Sequence, residues 1–243
     1  MVECAFSLIC LGFLFLLVGV VIRLTRGEGA LTNRPAAFNS RPARPAAAPP
    51  TVNPRTGDSM QARAFNAQPG QSVTFTHRTR GEVTAKVLGV IHYAELSQQR
   101  RGGNAPWVPT GNAYVALWMG EYMLYEWQSR LYLFDEGQNL TDQQINESFL
   151  PYAKQFAQSN QTAQVTFAWP PYTWQMVDIG KYRVARAEGV GLRLNLGAEG
   201  RFIHARTEEG RALAVEDYQS GNGGLDTVWM GWETTWEAIK AIR

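Results

Sequence analysis

Three histidines, His77, His92 and His204, and a scatter of carboxylates are the residues here with the means to do chemistry. Three imidazoles suit a zinc ion, but zinc-binding histidines usually come in close pairs such as H-x3-H. These three fall in separate strand-like segments, so ordinary strand histidines and no metal are expected. The acids Glu121, Glu126, Asp135, Glu136, Asp178, Glu188, Asp217, Asp226 and Glu233 offer material for a hydrolytic carboxylate pair. Nothing in their spacing selects a pair, and solvated strand and turn positions are the default. There is no G-x-S-x-G elbow, no P-loop and no G-x-G-x-x-G fingerprint. Gly221-Asn222-Gly223-Gly224 lacks a lysine and a following helix, so it reads as a hairpin loop rather than a phosphate cradle. No cofactor is implied.

Cys4 and Cys10 are the only cysteines, which leaves everything after them without thiol chemistry or a disulfide framework. The net charge is +2, with much of the excess before residue 71, and gives nucleic-acid binding no support. All eight tryptophans lie beyond residue 100. Most should be core, because aromatic rings bury large areas. Trp107 is the candidate contact for a ligand or partner, since it sits in a polar Gly-, Pro- and Arg-rich stretch at 98–111. The sequons at Asn139, Asn146 and Asn160 would be glycan acceptors only outside the cytoplasm.

What must position these residues begins with residues 5–22, AFSLICLGFLFLLVGVVI, an uncharged run. At about 1.5 Å per residue a helix of this length covers roughly 27 Å, close to a bilayer's hydrocarbon core. No basic n-region precedes it and no A-x-A site follows, so a retained transmembrane helix is expected rather than a cleaved signal. Arg23, Arg26, Arg34, Arg41 and Arg44 all follow the run. The positive-inside tendency therefore places the remainder in the cytoplasm, on a single-pass membrane protein whose bilayer partner is residues 5–22. Residues 1–26 form this anchor. Residues 27–70, rich in Pro, Ala and Arg, read as a disordered linker with a reach of about 40 Å. Their spread arginines suit a spacer better than a lipid-gripping cluster.

Residues 71–243 are enough for one domain with a real core. Period-two alternation predicts strands at 72–79, 82–96 (bent at Gly89), 112–119, 121–127 and 130–135. More follow at 163–169, 173–179, 181–188, 190–196, 201–207 and 212–217, with Gly180, Gly189 and Gly197 as turns. A capping box at 141–144 and apolar spacing at Ile145, Phe149, Tyr152 and Phe156 predict one helical segment over about 141–159, kinked at Pro151. The expected fold is mainly β, of antiparallel sheets in a sandwich or barrel-like arrangement. Trp118-Met119-Gly120 recurs as Trp229-Met230-Gly231, which raises two related halves, 71–138 and 163–243, against coincidence.

The stretches at 120–138 and 212–242 resemble the W-x-EY-x-L and DY…W-x-G motifs of a bacterial β-rich domain family of unknown function. That family is found in membrane-linked proteins and beside polyamine-synthesis and membrane-stress genes. The matching positions are Glu121, Tyr122, Leu124, Leu131, Phe134, Asp217, Tyr218, Leu225 and Trp229. Leu131-Tyr132 and Asp226 depart from the pattern. The resemblance implies a β-rich, membrane-associated domain and carries no catalytic residues.

The leading expectation is a non-enzymatic, membrane-anchored β-domain that binds a protein partner or ligand at the cytoplasmic face. A hydrolase or transferase using carboxylates that converge only in the fold is the alternative. A structural subunit acting through the transmembrane helix is the third.

Overall fold

The computed structural model describes residues 53–98, 106–189, 194–217 and 226–243. The apolar run at 5–22, the linker up to residue 52, and Tyr218 and Leu225 of the closing motif lie outside the described residues. Among the described residues no helix is long and apolar enough to cross a membrane.

The described chain is mainly antiparallel β. Its strands are β1 (Ser72–His77), β2 (Gly81–Lys86), β3 (Gly89–Gln98), β4 (Trp107–Trp118), β5 (Met123–Trp127), β6 (Arg130–Asn139), β7 (Thr166–Trp169), β8 (Tyr172–Gly189), β9 (Glu199–Arg206), β10 (Arg211–Asp217), β11 (Thr227–Thr234) and β12 (Ile239–Ile242). Two four-stranded meanders, β3–β6 and β8–β11, pair last strand to last and first strand to first, giving a closed eight-stranded barrel. β7 extends the barrel as a hairpin on β8. Strands β12, β1 and β2 form a separate small sheet.

Three apolar layers result. Inside the barrel, Tyr93, Tyr125, Trp127, Phe134, Tyr182 and Phe202 fill the lumen among small residues such as Ala116 and Ala214. Eight strands enclose just enough room for side chains, so this is a packed core and not a channel. Outside the first meander, Val90, Leu117, Tyr122, Leu124 and Leu133 pack against Val73, Phe75 and Ile239 of the small sheet. Outside the second, Leu213, Val215 and Met230 pack against Phe149, Phe156 and Phe167. Strands covered on both faces need no alternation, which is why β5 (MLYEW) is buried at every position.

Glycine opposite an aromatic ring recurs around the barrel. Tyr182 lies over Gly200, Phe202 over Gly180 and Trp229 over Gly137, and in each pair the two residues are register partners. A β-carbon on Gly180 would stand 2.7 Å from the Phe202 ring. Such pairs let a sheet bend sharply while the ring covers the bare backbone. Gly180 is therefore not the turn its type suggested: β8 runs through it as one strand, and the two strands expected at 173–179 and 181–188 are halves of it.

Other elements also depart from the expectation. The stretch 82–96 breaks at Val87 and Leu88, and its two parts join different sheets. The polar loop at 98–111 is shorter, because β4 begins at Trp107, which pairs with Gln98. Residues 194–198 form a turn rather than the end of a strand. Strand β11, unforeseen, closes the barrel against β6. The expected helix is present as α2 (Asp142–Gln144) and α3 (Leu150–Gln158), joined by a π turn, Ile145–Phe149. Thr141 and Gln144 make the reciprocal capping box. Pro151, lacking an N–H, stands in the first turn of α3, directly after the π turn.

The linker boundary at residue 70 is corrected too. Helix α1 (Met60–Phe65), capped by the Ser59 hydroxyl, buries Ala62, Ala64 and Phe65. Just before it, Arg55 reaches across to Glu126 of β5. A six-residue helix is too short to display a period, and its anchor lies 71 positions away.

The two Trp-Met-Gly triplets occupy unlike places. The first ends β4, where Gly120 takes φ +80° in the turn to β5. The second lies inside β11, where a β-carbon on Gly231 would meet the Leu133 carbonyl oxygen at 2.2 Å. Gly231→Ala should destabilise the fold by about 3 kcal/mol, since backbone and not a movable side chain opposes the methyl. Urea denaturation checks this, and a loss under about 1 kcal/mol would show that the β6–β11 seam yields.

Candidate functional site

Two of the three histidines, His77 and His92, border the layer outside the first meander, and His204 lies in the lumen. His92 faces outward from β3 and donates from Nε2 to the Phe65 carbonyl at 2.7 Å. His77 accepts at Nδ1 from the backbone N–H groups of Thr79 and Arg80, so its Nε2 carries the hydrogen and donates to Asp135 at 2.9 Å. This bond pins the small sheet to the barrel. His204 points into the lumen. No metal-sized group of three His, Cys, Asp or Glu exists among the described residues.

The motif residues divide in the same way. Tyr122 and Leu124 are core, with Tyr122 packed edge-on to Phe75 and its hydroxyl accepting from Arg80 at 2.6 Å. Asp217 accepts from Arg201 Nε at 2.7 Å. Glu121 is exposed beside Arg80, and it shares an open cleft of about 550 Å³ with Asp135, Glu136 and Trp229. Trp107 is half-buried at the start of β4, and the Lys181 ammonium lies 5.1 Å from its ring centre. It is a strand residue and not a loop anchor. Among the other acids, Glu126 pairs with Arg55 and Glu188 with Arg186.

A partly enclosed polar site lies at one mouth of the barrel. The ends of β5, β6, β9, β10 and β11 and the bulge of β8 at Val177 and Asp178 converge there, joined by the turn after β1. A cavity of about 320 Å³ is lined by Arg78, Arg130, Tyr132, His204, Arg206, Arg211 and Glu233. A recess of about 160 Å³ shares Arg130, Tyr132 and His204 with it and adds Trp127 and Asp178. A bulge in β8 between Met176 and Asp178 places Asp178 here. One extra residue flips the alternation, so Trp174 and Met176 face the outer layer while Asp178 and Tyr182 face the lumen.

The electrostatics of the mouth follow from burial. His204 is packed edge-on to Tyr125 and Trp127. Desolvation, aided by the Arg130 guanidinium, pushes its imidazole down to about 3, so it is neutral at physiological pH. Its Nε2 has no partner among the described residues. Burial raises the Tyr132 phenol, opposed by Arg130. Burial also raises the Asp178 carboxyl to about 6, opposed by the Trp127 indole N–H at 3.3 Å.

That shift has a definite sign. A carboxyl with a raised folded-state pKa holds its proton more tightly in the native protein, so its contribution is lost as pH climbs from about 4 to about 6. Asp178→Asn should therefore stabilise the protein by about 2 kcal/mol at pH 7 and by nearly nothing at pH 4. Unfolding curves at the two pH values check it, and equal effects at both would refute a buried, charged Asp178.

Sequence reasoning named Asp178 and His204 separately but missed Arg78, Arg130, Arg206 and Arg211. No local signal joins them: they stand at strand ends and turns spread over most of the domain. No family model, curated protein or solved structure matches this chain.

Proposed function

We propose that this protein is a single-pass membrane-anchored binding module, its barrel held at the cytoplasmic face by residues 5–22 and receiving a small ligand at the mouth. The carrying observation is the mouth cavity of about 320 Å³, which has the size of a small-molecule site and a cluster of convergent polar groups. The filled lumen behind it supplies a rigid floor. The membrane placement rests on the uncharged apolar run and the arginines that follow it. The motifs at 120–138 and 212–242 add a likeness to a membrane-linked domain family.

The test is a small-molecule library screened by thermal unfolding of the full-length protein in a neutral detergent. A mouth ligand raises the unfolding temperature in proportion to its occupancy, and Arg206→Ala abolishes the rise. If no compound acts, or if every rise survives the substitution, the mouth is not a ligand site. A reporter fused to the C-terminus tests the topology separately.

One observation favours an enzyme as the second reading. A carboxyl near pKa 6 beside a neutral imidazole suits general acid–base work. Turnover of any ligand found, lost in Asp178→Asn, would establish that reading.

A further inference from the structure

We propose that the mouth of the barrel receives a compact oxyanion, and that a phosphate group is the chemical class it takes. This rests on the reading of the mouth as a ligand site. Arg78, Arg130, Arg206 and Arg211 surround one cavity, and Glu233 is the carboxylate among its described lining residues. Arg78 and Arg211 lie on the same indole, Trp232, with guanidinium carbons 3.9 and 4.8 Å from the ring centre. The ring holds both guanidiniums at the cavity. Neither Arg78 nor Arg206 makes an ion pair among the described residues, and the contact from Arg211 to Glu136 is long, at 3.5 Å.

Like charges around a partly enclosed cavity repel one another with less screening than at an open surface. An anion between them turns that repulsion into attraction. Each guanidinium offers a planar fork of N–H groups that matches two oxygens of an oxyanion. A phosphate has enough oxygens to engage several forks at once, whereas a single carboxylate engages one or two. At the floor, His204 is 4 % exposed and lines the cavity, its Nε2 buried without a partner among the described residues. A neutral imidazole in the lining can offer an N–H to a phosphate oxygen. Asp178, the nearby acid, is set back in the adjoining recess, where it accepts from Trp127.

The chemistry fits both a free phosphate compound and a phosphorylated lipid headgroup, and the experiment separates them. Full-length protein in neutral detergent is titrated with inorganic phosphate, pyrophosphate and glycerol 3-phosphate by calorimetry. Expected is saturable one-to-one binding of at least one of them, weakened about tenfold in Arg206→Gln and in Arg78→Gln, the loss of one hydrogen bond to a charged group. Both arginines are at the rim, and circular dichroism checks that the variants fold. In a second arm the protein is reconstituted in phosphatidylcholine vesicles with and without phosphatidic acid, and quenching of tryptophan emission is compared. Soluble binding lost in the variants supports a free phosphate. A response confined to phosphatidic acid vesicles and lost in the variants supports a headgroup. Silence in both arms, or binding unchanged in both variants, overturns the proposal. If an uncharged library compound binds at the mouth while every phosphate fails, the oxyanion assignment falls and the ligand-site reading survives; if nothing of any class binds there, both fall.

Discussion

Trp127→Ala is expected to destabilise the protein by about 4 kcal/mol, the largest loss from any single truncation in the lumen. The side chain is 1 % exposed. Its ring meets Phe202 at 4.3 Å and Tyr114 at 4.5 Å between centres and stacks parallel to Tyr125. Removing it leaves a void that the closed barrel cannot collapse into, because the surrounding strands are tied to one another around the full circle. Trp127→Phe separates packing from polarity. It keeps an aromatic ring and loses the N–H donated to Asp178, at a cost of about 1 kcal/mol. Because that hydrogen bond favours the carboxylate, the phenylalanine variant should also raise the Asp178 pKa further. Urea denaturation and carboxyl titration by NMR measure the two effects. An alanine variant within about 1 kcal/mol of wild type would mean that the lumen is loosely packed.

Arg55→Ala should cost about 3 kcal/mol, although Arg55 belongs to no strand of the barrel. Its guanidinium donates to both Glu126 oxygens at 2.8 Å and to the Ala113 carbonyl at 2.9 Å, and it lies 4.2 Å above the Phe65 ring. Glu126 is 2 % exposed and Arg55 27 %. The asymmetry predicts unequal penalties. Without Arg55, a carboxylate stays buried with Gln61 as its remaining donor. With Glu126→Gln, the half-exposed guanidinium turns toward water, and the loss should be about 1 kcal/mol. Replacing both by apolar residues of similar size should restore most of the stability, since a buried pair holds little net advantage over packed side chains. Thermal unfolding of the three variants is the measurement, and equal penalties for the two single changes would contradict the account. The same contact ties the stretch before α1 to the barrel.

The mouth shows why a site of this kind escapes a reading along the chain. Arg130 and Tyr132 stand two positions apart, but His204, Arg206 and Arg211 approach them only through the pairing of β6 with β11, β11 with β10 and β10 with β9, and Arg78 arrives from the turn after β1. Each arginine alone looks like an ordinary surface charge at a strand end. Asp178 looks like a solvated strand acid until the bulge in β8 turns it inward.

By itself the sequence determined what depends on neighbouring residues. The turns, the capping box at Thr141, the helix after it and most strand segments are written in local patterns of a few residues, because backbone geometry responds to them directly. Composition also settled the large aromatic core and the lack of thiol chemistry beyond Cys10. Only the tertiary structure decided that the two meanders close on each other, that Gly180 lies beneath a ring instead of in a turn, that residues 53–70 dock on the barrel, and that four arginines share one cavity. These depend on pairings between distant strands, and a strand buried on both faces carries no alternation to say which neighbour it will meet.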